Sequence, residues 1–124
     1  MASVITIDGP GGSGKGTLAR MVAFDLDFHL LDSGAIYRIL ALAALERGIE
    51  FHDVTALCAL SNVIDLTFPY TRQSTEIRLG DIDVSATIRT QSVADGASKV
   101  ALNPLVRDAL INLQRRYLKK NYLN

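Results

Sequence analysis

The sequence has one cysteine in 124 residues, Cys58, so no disulfide can form within the chain, which fits a reducing compartment. It has no net charge: thirteen lysines and arginines balance thirteen acidic residues, which removes any whole-chain field that would draw nucleic acid or an anionic membrane. It opens MASVITID, with neither a basic leader nor an apolar stretch behind it, so no signal peptide is expected. No apolar run approaches the ~20 residues of a bilayer span. There is no internal repeat and no low-complexity linker. These absences make a soluble, cytoplasmic protein the expectation, with no nucleic-acid or membrane partner. The balance of charge is uneven along the chain, since from Pro104 onward Arg107, Arg115, Arg116, Lys119 and Lys120 face only Asp108. A basic helix end of this kind is ordinarily solvated and suits the helix dipole.

What is present is globular. Hydrophobic residues make up 48% and charged residues 21%, enough for one domain with a modest core. Val4 to Ile7 is a β-branched run stopped by Asp8-Gly9, the pattern of a buried parallel strand feeding a glycine loop. A helix follows from Gly16, with Leu18, Val22 and Leu26 at i, i+4 and i+8. Phe28 to Leu31 is a second short strand, ended by Asp32-Ser33-Gly34. Ala35 to Arg47 is the strongest helix, with Ile36, Ile39, Leu40 and Ala43 on one face and Gly48 as its stop. Strand, loop, helix, strand, helix is the start of an α/β fold with a parallel sheet.

The middle changes character. Asp53 can cap a short helix bearing Leu57, Leu60 and Ile64. Leu66 and Phe68, then Ile77 and Leu79, then Ile82 and Val84 alternate around turn-like breaks, which predicts a small antiparallel insert. Thr90 can cap a helix with Val93, Ala97 and Val100 inward. Asn103-Pro104 opens a last helix carrying Val106, Leu110, Leu113 and Tyr117.

The stretch GPGGSGKGT, Gly9 to Thr17, fits two phosphate-binding patterns. Gly9, Gly11 and Gly14 match a dinucleotide loop, with Asp32 at the distance where an acidic residue would hold a ribose. Gly9, Gly14 and Lys15 match a triphosphate loop. Both use glycines to bring backbone N–H groups against phosphate at a helix N-terminus. Lys15 separates them: a triphosphate loop needs an ammonium there to reach the β- and γ-phosphates, whereas an unmatched cation at a helix N-terminus is unfavourable. The residue after Lys15 is Gly16 rather than a hydroxyl side chain. Thr17, one later, is therefore a hydroxyl donor to phosphate rather than a metal ligand. Asp32 then becomes the residue that ends the second strand and caps the next helix with Ser33. His29 reads as a strand histidine and His52 as a loop residue.

Val4–Thr17 (VITIDGPGGSGKGT), Leu30–Arg38 (LLDSGAIYR), Asp83–Thr90 (DVSATIRT), Ala97–Leu110 (ASKVALNPLVRDAL) and Leu113–Arg116 (LQRR) together resemble the bacterial cytidylate kinases, within the nucleoside monophosphate kinase family. The match runs in order to about Tyr117. Lys-Gly-Thr is shared by several monophosphate kinases; LLDSGAIYR with IRT and the Pro-x-Val-Arg helix is more specific.

The resemblance implies a P-loop parallel sheet with flanking helices and a small antiparallel insert that binds the monophosphate. It divides the chain into the start of the P-loop core over 1–52, the insert over 53–90 and a helical return over 91–124. It implies transfer of the γ-phosphoryl group of ATP, with Mg²⁺, to CMP or dCMP. Gly9, Pro10, Gly11, Gly12, Ser13, Gly14, Lys15, Gly16 and Thr17 would wrap the donor phosphates, with Lys15 catalytic. Arg38 would grip the acceptor phosphate, a task that suits a guanidinium fork. Ser98 and Arg107 would read the cytosine edge, and Asp32, Ser33 and Tyr37 would line the acceptor pocket. No metal-ligating residue is assigned.

The sequence departs from that family after LQRR. The family continues for about as much chain again, through an Asp-Gly-Arg-Asp stretch and an arginine-bearing lid, whereas this sequence runs YLKKNYLN. Two expectations follow. One is an N-terminal portion of a cytidylate kinase, catalytically incomplete alone, with its other half as a separate chain for a partner. The other is a stand-alone nucleotide-binding or assembly module. A dinucleotide-binding protein is a distant third.

Overall fold

The computed structural model describes residues 6–7, 14–26, 32–68 and 76–122. Both expected parallel strands fall almost wholly outside them; Thr6 and Ile7 are described and are not in a strand. The described elements are α1 (Lys15–Asp25), α2 (Ser33–Glu46), α3 (Val54–Ser61), β1 (Leu66–Thr67), β2 (Arg78–Leu79), β3 (Ile82–Asp83), a 3-10 turn over Thr87–Arg89, α4 (Gln91–Val100) and α5 (Pro104–Tyr122). The chain is thus α/β, with a small antiparallel sheet inserted between helices.

Helix α2 is the axis of the core. It begins two residues earlier than its apolar pattern suggests, because Asp32 caps it: the carboxylate accepts a hydrogen bond from Ala35 N–H at 3.1 Å. Ile36, Ile39, Leu40 and Ala43 are buried as their spacing requires, and so are Ala41, Leu42 and Ala44. One apolar face becomes nearly the whole circumference because α3, α4, α5 and the 3-10 turn all pack on this helix. Its alanines allow neighbours to approach closely. Helix α4 lies along α2, and α3 packs on α5. Val93, Val100, Val106 and Leu110 point inward from α4 and α5 as expected.

The insert is a three-stranded sheet in the order β1-β2-β3, both pairings antiparallel, with Leu66 opposite Leu79 and Arg78 opposite Asp83. Gly80, at φ 61°, supplies the left-handed residue of the tight β2–β3 turn. Leu66, Phe68, Ile77 and Val84 are buried beneath the sheet. Tyr117 of α5 fastens it: its ring meets Phe68 edge to face at 5.6 Å, and its hydroxyl accepts from Phe68 N–H at 3.4 Å.

Three local expectations are corrected. Leu18 of α1 and Leu26 just past its end are 53% and 52% exposed, Val22 between them is half-buried, and Ala23 is the buried residue of this helix among those described. Ile82 is 68% exposed; it follows the Gly80-Asp81 turn directly, and only Val84, two residues on, reaches the core. Thr90 occupies the cap position of α4 but does not cap it. Its hydroxyl donates backward to Thr87 C=O at 2.8 Å, closing the 3-10 turn instead. Asp53 and Asn103 do cap, accepting from Ala56 N–H at 3.1 Å and Leu105 N–H at 2.8 Å.

Candidate functional site

The candidate donor loop enters the description at its last glycine. Gly14 has φ 84°, a left-handed conformation that only glycine adopts without strain. Its carbonyl accepts from Leu18 N–H at 3.1 Å, so the chain turns from loop to helix at this residue. Lys15 and Gly16 open α1, and Thr17 is exposed in the same turn. No acidic residue sits in that turn, so no carboxylate of the turn itself competes for its first N–H groups and the positive end of its dipole. Such an end favours phosphate. Gly9, Pro10, Gly11, Gly12 and Ser13 lie outside the described residues.

The candidate acceptor side is carried by the first two turns of α2. Asp32 holds the cap, as its helix-capping reading requires; the second strand it was expected to end lies outside the described residues. Ser33 and Gly34 are exposed beside it. Tyr37 is half-buried against the core, and Arg38 is exposed. Among the described residues the Arg38 guanidinium makes no ion pair. A fixed apolar neighbour and an uncommitted cation, set on a buried helix, form a rigid mount for an anion.

Ser98 and Arg107 come from other elements. Ser98 is exposed near the end of α4, its hydroxyl donating to Ala94 C=O at 3.3 Å. Arg107 is exposed in the first turns of α5, its N–H donating to Asn103 C=O at 3.1 Å. The residues flanking Ser98 fix where it lies. Gly96 packs under the ring of Phe51, and the Lys99 ammonium lies 5.9 Å from that ring's centroid. Phe51 follows the C-terminal end of α2. The described candidates therefore come from separate elements: Asp32, Ser33, Tyr37 and Arg38 at the start of α2, Ser98 on α4 and Arg107 on α5.

Two features carry no sequence-based assignment. A cleft of about 420 Å³ lies between the α2–α3 connection and the α4–α5 junction, lined by Phe51, His52, Lys99, Leu102 and Asn103 among others. The second is a relay in the insert. Ile77 N–H donates to Ser85 Oγ at 2.7 Å, and that hydroxyl donates to Asp83 Oδ1 at 2.6 Å. Ser85 N–H reaches the same carboxylate oxygen at 2.9 Å. These bonds to Ser85, chiefly the hydroxyl's, hold the Asp83 carboxyl below its ordinary value of 3.8, with Arg78 adding a weaker pull. The Asp-x-Ser spacing, typical of a side chain folding back on its own backbone, is the signal that could have revealed it.

Comparison with known proteins supplies the remaining finding. A family model described as cytidylate kinase matches residues 5–123. The cytidylate kinase of Klebsiella pneumoniae (strain 342) is 54% identical over 114 residues, covering 92% of this chain and 50% of its own length. That of Salmonella choleraesuis (strain SC-B67) is 51% identical over 119 residues, covering 96% and 52%. That of Aeromonas salmonicida (strain A449) is 50% identical over 117 residues, covering 94% and 51%. The chain spans about half the length of the curated relatives it matches.

Proposed function

This chain belongs to the cytidylate kinase family, and from that premise we propose that it supplies the donor loop and acceptor pocket for moving the γ-phosphoryl group of ATP onto CMP or dCMP. The observation that carries the reading is the family match over residues 5–123, which spans the glycine loop, the LLDSGAIYR helix start, the insert and the Pro-x-Val-Arg helix.

In this reading Gly9 to Thr17 cradle the triphosphate, with the N–H groups of the loop and of the first turn of α1 as donors. Lys15 stays with the γ-phosphoryl group as its bond to the bridging oxygen breaks and a bond to an acceptor phosphate oxygen forms. The leaving group is ADP and the product CDP or dCDP. Transfer of this kind asks the protein for position and charge rather than covalent chemistry. Arg38 holds the acceptor phosphate in line, and Ser98 and Arg107 meet the acceptor oxygen and amino group of cytosine. Residues 53–90 form the insert that brings the acceptor in, and Asp32, Ser33 and Tyr37 shape the pocket's floor.

Magnesium, when bound, neutralises charge on the β- and γ-phosphates. Among the described residues no three histidines, cysteines or acidic side chains gather as a metal site. In this reading the ion arrives on the phosphates of the nucleotide itself.

Titration of the 124-residue chain with ATP tests the donor assignment. The Lys15→Ala variant should bind ATP about tenfold or more weakly, with its circular dichroism unchanged. Equal affinity in the two proteins would remove Lys15 from the site.

A further inference from the structure

The connector from α2 to α3 is tied down on both sides of Phe51. Gly48, at φ 67°, takes the left-handed conformation that ends α2. Its N–H donates to Leu45 C=O at 3.3 Å, and Ile49 N–H donates to Ala44 C=O at 2.9 Å. Asp53 N–H then donates to Glu50 C=O at 3.1 Å, and Asp53 itself caps α3. Phe51 stands between these bonds, half-buried against the core. Its ring is therefore presented from a fixed backbone.

Helix α4 is held on two sides. Val93, Ala97 and Val100 are buried in the core, where α4 packs on α2. Gly96 and Lys99, three residues apart, share another side of the helix, and the Phe51 ring covers it. Gly96 is buried, and its absent Cβ would stand 2.5, 2.9 and 3.0 Å from Phe51 Cζ, Cε1 and Cε2. The Lys99 ammonium lies 5.9 Å from the centroid of the same ring. With no side chain at 96, the ring comes up to the backbone of α4 and sets how closely the helix approaches.

Ser98 lies between Gly96 and Lys99 in sequence but is exposed, and its hydroxyl donates back to Ala94 C=O of its own helix. A serine side chain is too short to adjust its own reach, so the backbone of α4 decides where this hydroxyl stands. Hydrogen bonds to a base edge hold only within about 2.7–3.2 Å, so a small shift of α4 is enough to lose one. Phe51 acts on that backbone from the side away from the hydroxyl.

We infer that Phe51 is a positioning residue for cytosine recognition: its ring, seated on Gly96, fixes the stand of α4 and so the place of Ser98. This rests on the reading of Ser98 as a residue that meets the cytosine edge. Phe51 acts through Ser98 and makes no contact with the nucleotide itself.

The test is a double-mutant cycle in CMP affinity, read by NMR titration of the full 124-residue chain. The proteins are the wild type, Ser98→Ala, Phe51→Ala and Phe51→Ala/Ser98→Ala, with Phe51→Leu in both backgrounds. Ser98→Ala should weaken CMP binding about 3- to 10-fold, the loss of one hydrogen bond. Phe51→Ala should weaken it by a comparable factor. Phe51→Leu, which keeps apolar volume but not the flat ring, should show a smaller loss and carries the cycle if Phe51→Ala does not fold. In the Ser98→Ala background both changes at Phe51 should have no further effect, since the group they position is gone. A wild type that binds no CMP, or a Ser98→Ala chain that binds it as tightly as the wild type, removes the reading of Ser98 and this inference with it. A loss in Ser98→Ala without any loss in the Phe51 variants overturns the inference alone. So does a Phe51 factor that persists in full without the serine hydroxyl, because the ring would then support the pocket by another route.

Discussion

The ring of Phe51 covers Gly96 so closely that a Cβ on Gly96 would stand 2.5 Å from Phe51 Cζ. On an open helix surface, alanine in place of glycine gains up to about 1 kcal/mol. Here the ring would have to leave α4, taking its contact with Lys99 along. Gly96→Ala should therefore destabilise the chain by about 1–3 kcal/mol in urea unfolding. The cost should vanish or change sign in a Phe51→Ala background. A Gly96→Ala chain more stable than the wild type would contradict this packing.

Tyr117 meets Phe68 of the insert both with its ring and with its hydroxyl. Removing only the hydroxyl leaves the buried Phe68 N–H without that partner. Tyr117→Phe should cost about 1–2 kcal/mol. Tyr117→Ala, which also leaves a cavity beneath the sheet, should cost about 3–5 kcal/mol. Amide exchange at Phe68 should rise in both variants, and unaltered exchange in Tyr117→Phe would mean that the hydroxyl does not hold the strand.

The Asp83 carboxyl titrates below 3.8 in the folded chain because the ionised form accepts two hydrogen bonds from Ser85. A folded-state value lower than the unfolded one stabilises the hairpin above the unfolded value and is lost as pH falls through the folded one. The Ser85 and Ile77 amide shifts should therefore be level at neutral pH and move together with a midpoint below 3.8. In Ser85→Ala the Asp83 midpoint should rise toward the ordinary value. A wild-type midpoint at or above 3.8 would contradict the relay.

Asp32 is both the cap of α2 and a member of the candidate acceptor group. Asn can make the same cap bond, whereas Ala cannot. Asp32→Asn should keep most of the stability and Asp32→Ala should lose about 1 kcal/mol in thermal or urea unfolding. Equal losses in the two variants would mean that the carboxylate's charge, and not its cap bond, supports the helix.

The elements legible in the sequence are those with a local signal. Asp53 and Asn103 announced their helix starts, the 80–81 break announced the hairpin, and the spacing from Val106 to Tyr117 announced the buried face of α5. What was not legible depended on packing from a distance. Ala41 and Ala44 look neutral until α2 is seen to be surrounded. Leu18 and Leu26 show a helical stripe, but periodicity does not say whether anything covers it. Thr90 had the right residue type for a cap and used its hydroxyl on the preceding turn. The candidate site was legible as residues rather than as geometry: the motifs named Arg38, Ser98 and Arg107. The fold adds which elements carry them: Arg38 on α2, Ser98 on α4 and Arg107 on α5.

The central proposal is that this chain carries an acceptor site for cytidine monophosphate built from the start of α2 with Ser98 of α4 and Arg107 of α5. The most direct measurement is the amide spectrum of the ¹⁵N-labelled 124-residue chain during titration with CMP, with AMP as the comparison. The account predicts that CMP moves Ser33, Gly34, Tyr37 and Arg38 together with Ser98 and Arg107, all saturating with one affinity, and that AMP fails to move the last two. A CMP titration that leaves the start of α2 and Ser98 unmoved, or an AMP titration with the same pattern and affinity, would contradict it.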